Sequence, residues 1–226
     1  MSRSCQGYLK KALAGLVKVE LMDFNFDLQF DKHVIGVDEV GRGSWAGPVM
    51  AAAVLLNYKM PIDKRLNDSK KLAPKIRKEI LGNLIENSLF GIGEVSNHKI
   101  DELGILKATF RAMEKAISNL FAQLRNIKSY LILVDGTIMP DFKEKFNCEI
   151  RLLKKGDTLS PSIAAASIIA KCARDDLMIK SDKKYGVYEF SKNMGYGTKL
   201  HKQKLFLLGP TQFHRMTFRP MKNLKN

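Results

Sequence analysis

The sequence is short of cysteine, short of acids and without a long apolar run. Its three cysteines, Cys5, Cys148 and Cys172, are odd in number and far apart. No Cys-x-x-Cys pair occurs, and no His-x-x-x-His pair accompanies them. A disulfide framework and a structural zinc site are therefore not expected, and a reducing cytoplasm is the expected compartment. The longest uninterrupted apolar run, Val49 to Leu56, is eight residues. A membrane span needs about 18 or more, so no membrane association is expected. Internal repeats and low-complexity tracts are absent as well. Hydrophobic residues at 45% and charged residues at 27% exclude global disorder. A length of 226 residues suits one large domain, or one domain with a small appendage.

Acids are the scarce charge. Against 23 Asp and Glu stand 38 Lys and Arg, a net charge of +15. Such a field attracts polyanions, of which nucleic acid is the commonest. The excess is uneven. Residues 190 to 226 hold eight Lys or Arg and no acid, and residues 1 to 19 hold Arg3, Lys10, Lys11 and Lys18 and no acid. The apolar stretch Ala12 to Val17 is too short, and too soon broken by Lys18, for a secretory signal. A basic helix, an unstructured arm and sequence upstream of a start at Met22 are the open readings. Three segments are expected: a basic extension over 1–22, a catalytic domain over 23–180, and a helical and loop segment over 181–226.

The hydrophobic pattern alternates strand and helix. Val34 to Val37 reads as a buried strand ending at Asp38, and Val49 to Leu56 as a second strand, antiparallel to it. Pro74 opens a helix to about Asn87. Leu89 to Val95 reads as a strand weakened by Gly91 and Gly93, and Ile105 to Leu124 has helical spacing. Two further short strands are expected at Leu131 to Val134 and Ile150 to Leu153, and a long helix at Ser162 to Lys180. This order predicts an α/β fold with a mixed sheet flanked by helices.

Two apolar strands end in carboxylates: Asp38-Glu39 after one, Asp135 after the other. Ligands of open α/β sheets bind at strand ends, although Asp before Gly is also ordinary turn chemistry. On the long helix, at about 100° per residue, Asp175 falls on the stripe of Ala164, Ile168, Cys172, Met178 and Ile179, with Asp176 on the flank. A carboxylate there is costly unless paired or metal-bound. Lys171 and Arg174 are its candidate ion-pair partners. Clustered carboxylates suit hard cations such as Mg²⁺ or Mn²⁺, and two such ions promote phosphodiester cleavage. An acidic pocket within a basic surface is the pattern of a metal-dependent nuclease.

The motifs are distinctive. Asp38-Glu39-Val40-Gly41-Arg42-Gly43 with Ala46-Gly47-Pro48-Val49 resembles the opening motif of the ribonuclease HII family. Asp68-Ser69-Lys70-Lys71-Leu72, Val134-Asp135-Gly136, Lys155-Gly156-Asp157 and Ala164 to Lys171 with Arg174-Asp175 continue the resemblance. Gly195-Tyr196-Gly197-Thr198-Lys199, His201, Gly209-Pro210-Thr211 and His214-Arg215 complete it, over about residues 33 to 219. Arg42 separates it from the sister family, ribonuclease HIII, which has Thr there. Ser44-Trp45 departs from the pattern, and residues 1 to 21 do not map onto it.

The resemblance implies a ribonuclease H-like fold and metal-dependent cleavage of the RNA strand of RNA–DNA hybrids. It also implies incision 5′ of single ribonucleotides in duplex DNA, leaving 3′-hydroxyl and 5′-phosphate. It makes Asp38, Glu39, Asp135 and Asp175 the expected metal-binding and catalytic carboxylates. Gly41, Arg42 and Gly43 become the expected 2′-hydroxyl reader and Tyr196 the expected sugar contact, with Lys70, Lys155 and Lys199 as candidate phosphate contacts. For His201 and His214 the open readings are positioning of phosphate or of a proton and structural hydrogen bonds, the last being the expected one. A monomer is expected. A junction resolvase on the same fold leaves both glycine motifs without a role. A non-catalytic RNA-binding protein explains the charge but not Asp175. Gly41-x-Gly43 lacks the third glycine of a dinucleotide fingerprint.

Overall fold

The structure, a computed structural model, describes residues 22–124 and 129–224. The basic segment 1–21 lies outside the described residues, and with it the reading of that segment as an extension.

Five strands form one sheet: β1 (His33–Val40), β2 (Val49–Leu56), β3 (Ser88–Val95), β4 (Tyr130–Asp135) and β5 (Glu149–Leu153). Their order is β3-β2-β1-β4-β5. The β1–β2 and β2–β3 pairs are antiparallel, whereas β1–β4 and β4–β5 are parallel. The helices are α1 (Pro74–Asn87), α2 (Asn97–Leu103), α3 (Ile105–Phe121), α4 (Pro161–Tyr185), α5 (Phe190–Asn193), α6 (Lys199–Leu208) and α7 (Met221–Leu224). Among the described residues no helix is long and apolar enough to cross a membrane.

Alternation along the strands loads both faces of the sheet. Ile35, Val37, Ile132 and Val134 pack under Ala112, Met113, Ala116 and Leu120 of α3. Ala52, Val54 and Leu56 face α4, through Ala164 to Ala166 and Ile168 to Ala170, and α1, through Ile80 and Leu84. Small residues set how closely the helices approach. A Cβ on Gly93 would stand 2.0 Å from the Ala112 carbonyl oxygen, and one on Gly91 2.2 Å from that of Ala116. The two glycines that weaken β3 as a strand are thus what lets α3 lie on it. Gly36 does the same on the other face, where the backbone of Ser162 would be 2.1 Å from an added Cβ.

Local signals account for the helix starts. Pro74 and Pro161 occupy first turns, and the Ser160 hydroxyl accepts from the Ile163 N–H. Three expected ends move, and one helix is new. β1 continues through Asp38 and Glu39 to Val40, because pairing with β2 persists to Val40 and Met50. The helix expected to reach Leu124 ends at Phe121, and the one expected to end at Lys180 reaches Tyr185. Helix α2 was not anticipated; it is short and polar, capped by Ser96 and ended by Gly104 at φ +77°.

Beyond the sheet, α4 meets new neighbours. Met178 packs with Ala46, Tyr188 and Phe190. A bridge between Ala46 and His214 ties the C-terminal segment to the β1–β2 connection.

Candidate active site at the ends of strands β1 and β4

Parallel pairing builds the acidic end. Val37 lies beside Val134, so the next residues in register, Asp38 and Asp135, stand side by side on the same face. Asp38 is 4% exposed. Burial pushes its carboxyl well above the ordinary range, and the neighbouring charges of Glu39 and Asp135 push the same way. Hydrogen bonds from Ser167 and from the Glu39 N–H, 2.7 Å from Oδ1, oppose that rise without cancelling it. Glu39 is also raised, by burial, with Arg42 opposing and Asp135 adding. Its Oε1 stands 3.5 Å from the Arg42 guanidinium. Asp135 Oδ1 accepts the Gly156 N–H at 2.8 Å.

The loop after β5 brings in an acid that the motif contained but the site reading left out. Lys155 turns the chain in a left-handed conformation, φ +57°, and the next two residues fold back over the strand ends. Asp157 is buried there, its carboxyl raised by burial and by the charges of Asp68 and Asp135. Lys70 is the cation of this group. Burial works against its charge, but Asp38, Asp68, Asp157 and Glu39 outweigh burial and raise its pKa. The signal in the sequence was the Lys155-Gly156-Asp157 triplet directly after an apolar strand.

Asp175 is placed differently. Its carboxylate is held by Lys171 at 2.6 Å and Arg77 at 3.5 Å. Arg77 in turn donates to the Ser69 and Leu72 carbonyls. Asp175 is not among the leading influences on Asp38, Glu39 or Asp157. Of the expected apolar stripe, Ala164, Ile168, Cys172 and Met178 are buried and only Ile179 is not, and Asp175 is half-buried beside it while Asp176 is exposed. Arg174 is the fully buried residue here, and Ile179 is 44% exposed. Among the described residues no three His, Cys, Asp or Glu side chains converge closely enough to hold a metal ion as they are turned. Glu39 leans to Arg42, and Asp135 to the Gly156 N–H.

A cavity of about 410 Å³ opens beside the acids, lined by Glu39, Gly41 to Gly43, Lys70, Ser167, Lys171 and Tyr196. Gly41 has φ +87°, and a Cβ there would lie 2.2 Å from Arg174 Nε. Arg174 is the floor of this turn. It donates to the carbonyls of Pro48, Met194 and Ala46 and to the Ser44 hydroxyl, and it lies 5.6 Å from the Tyr196 ring centroid. Arg215 donates to the Gly47 and Arg42 carbonyls. The departures Ser44 and Trp45 are both used: Ser44 also donates to the Gly41 carbonyl, and a Cβ on Gly197 would meet the Trp45 indole at 2.2 Å. Lys155 and Lys199 are exposed and lie outside the cavity lining. Arg174, a candidate partner of Asp175 in the sequence, turns instead to these carbonyls and Ser44, while Lys171 makes the expected pair; Arg215 carried no expected role beyond its place in the motif.

The sequence model of the family described as Ribonuclease HII matches residues 35–221. The ribonuclease HII of Pelagibacter ubique (strain HTCC1062) is 44% identical over 194 residues, which is 85% of this chain and 99% of that protein. The ribonuclease H2 crystal structure from Pyrococcus horikoshii OT3 superposes with a TM-score of 0.64 at 26% identity, covering 85% of this chain and 96% of that one. Bst-RNase HIII in complex with Mn²⁺ has a TM-score of 0.69 at 19% identity, covering 84% and 68%. The fold is thus the ribonuclease H-like α/β fold, with its mixed five-stranded sheet and flanking helices.

Proposed function

The chain belongs to the ribonuclease HII family, metal-dependent endoribonucleases acting on RNA–DNA hybrids, and we propose that it also incises 5′ of single ribonucleotides in duplex DNA. The products are a 3′-hydroxyl and a 5′-phosphate. One observation carries this reading: buried Asp38 and half-buried Glu39 and Asp135 gather beside a cavity lined by the Gly41-Arg42-Gly43 turn and Tyr196.

The donor chemistry fits a hard divalent cation. The acids are carboxylate oxygens whose mutual repulsion is only partly offset, and Mg²⁺ or Mn²⁺ favours such ligands. Asp38, Glu39 and Asp135 are the proposed metal-holding residues. Asp157 takes the fourth place that the sequence reading assigned to Asp175, which stays in its ion pair with Lys171 and Arg77. When bound, the cation supplies Lewis-acid stabilisation of charge developing on the phosphate oxygens. Lys70, held charged among four acids, meets the phosphate at the edge of the cavity. Only the 2′-hydroxyl distinguishes ribose from deoxyribose at a site, and the backbone of Gly41 to Gly43, bare of side chains at its two glycines, comes close enough to read it. Tyr196 packs on the sugar. Lys155 and Lys199, exposed, hold phosphates further along the duplex. The enzyme is proposed to act as a monomer in the cytoplasm.

The test is cleavage of a DNA duplex carrying one ribonucleotide, with Mg²⁺, Mn²⁺ or chelator, beside an all-DNA control. Metal-dependent cutting 5′ of the ribonucleotide with the control intact is the expected result. Cutting of both duplexes would overturn the proposed specificity.

A further inference from the structure

Behind Tyr196 lies a row of hydrogen bonds that runs in one direction. The Thr211 N–H donates to His214 Nδ1 at 3.0 Å, and the Thr211 hydroxyl stands 2.9 Å from the same nitrogen. A ring nitrogen that accepts carries no proton, so neutral His214 carries its proton on Nε2. That N–H faces His201 Nε2 at 3.1 Å, which must accept it. The His201 proton then sits on Nδ1 and is donated to the Tyr196 carbonyl, 3.0 Å away. Both rings are fully buried, and burial lowers both pKa values. A second proton on His201 would set two N–H donors against each other at the shared contact, and one on His214 Nδ1 would do the same against the Thr211 N–H.

The surroundings hold the pair in place. Trp45 lies 5.4 Å from the His201 ring and Tyr188 4.9 Å from that of His214. The Gly195 carbonyl accepts from Trp45 N and Ala46 N, and Tyr196 N donates to the Asn193 carbonyl. The Tyr196 loop is thereby anchored on the side of the β1–β2 connection. On the opposite side its one side-chain donor to the carbonyl is His201.

We propose that His201 and His214 are positioning residues: a buried imidazole pair, locked in complementary tautomers by Thr211, fixes the Tyr196 carbonyl and so sets the tyrosine ring in the cavity that receives the ribose. This rests on the reading of Tyr196 as the sugar contact.

Two measurements test it. Long-range nitrogen–proton NMR of the full chain is expected to show His201 as the Nδ1–H tautomer and His214 as the Nε2–H tautomer at pH 7. The reverse assignment, or a charged ring, overturns the proposal. The second measurement compares His201→Asn, which keeps a donor near the Nδ1 position, with His201→Gln, which keeps one near Nε2 only. At equal melting temperature, His201→Gln is expected to lower kcat/KM for single-ribonucleotide incision about tenfold, and His201→Asn to restore most of that loss. Equal behaviour of the two variants overturns the positioning role. Tyr196→Ala separates the layers. If it lowers incision while the two His201 variants behave alike, the positioning fails and the sugar contact stands. If it leaves incision unchanged, the sugar contact itself fails and the positioning with it.

Discussion

Two walls of one cleft bury charge of opposite sign, and they resolve it in opposite ways. On one wall Asp38 and Asp157 are buried and Glu39 half-buried, their carboxyls raised, each by loss of solvent and by further acids. On the other, Arg174, Arg215, His201 and His214 are fully buried with their pKa values lowered, Arg215 to about 9 and His214 to about 4, chiefly by burial. The basic wall faces backbone carbonyls. Arg174 alone reaches four oxygen acceptors, and among the described residues only one of these guanidinium nitrogens, Arg215 Nη2, lacks a partner. The acidic wall has a few N–H donors, Lys70 and Arg42, and remains repulsive. A satisfied buried charge is scaffold. A frustrated one is a place where a cation from outside gains most.

The sharpest way to break this comparison is Asp135→Asn. It removes a charge from the cation site, where several kcal/mol of transition-state stabilisation corresponds to a rate loss on the order of 10³-fold. Because it also relieves Asp38, the variant is expected to melt no lower than the parent. Asp157→Asn is expected to behave likewise, and Asp175→Asn to keep most of its rate. Cleavage assays with calorimetry on all three check this; full activity of Asp135→Asn sinks the metal assignment.

On the opposite wall the expected loss is of stability. Arg174→Met strands the carbonyls of Pro48, Ala46 and Met194 and the Ser44 hydroxyl, and is expected to cost about 3–5 kcal/mol. Urea titration measures it, and a cost below about 1 kcal/mol, the worth of one ordinary hydrogen bond, would mean the guanidinium is not scaffold.

Acid separates the walls further. The folded pKa of His214, about 4, lies below its unfolded value of 6.5, so the unfolded chain takes up the proton first. Its stabilisation is complete above pH 6.5 and is lost as pH falls toward 4, by up to about 3 kcal/mol. His201, which faces it, is lowered too and adds a loss of the same sign, whereas Arg215 and Tyr188 do not titrate in that window. Asp38 has the reverse sign. Its folded pKa is raised, so stability falls as pH rises through the carboxylate range. Denaturation series at several pH values, with His214→Asn as control, resolve the histidine part; a flat profile from pH 6.5 to 4 counts against it.

The smallest effect is the most specific. A divalent cation binding the folded acids at tenfold its Kd stabilises by about 1.4 kcal/mol. Mg²⁺ or Mn²⁺ is therefore expected to raise the melting temperature of the parent, and of Asp135→Asn much less. An equal rise in both would place the ion elsewhere.

Much of this was legible in the chain. Val34 to Val37, Val49 to Leu56 and Leu131 to Val134 are apolar runs whose period and length leave little choice but strand, and each β1 and β4 acid follows its run directly. Parallel pairing then brings Asp38 and Asp135 together. The fourth acid of the proposed set, Asp157 in place of Asp175, was less legible. Helical periodicity put Asp175 on a buried stripe, yet periodicity assumes one continuous surface to pack against. Beyond Cys172, helix α4 buries Arg174 and Met178 against the C-terminal segment rather than the sheet. Asp157 sits in a loop, where no period marks it.

What the sequence determined by itself is local and repetitive: which segments become strands and helices, which glycine turn follows the first two acids, and a surplus of positive charge. These follow from backbone preference and from apolar spacing, which act over a few residues. Only the tertiary structure decided which charges share a space. Arg77 reaches Asp175, Arg174 reaches Pro48 and Ser44, and Thr211, His214 and His201 align behind Tyr196. The longer of these contacts join residues about a hundred positions or more apart, and the cost of burying each group depends on partners that only the folded sheet and its helices bring within reach.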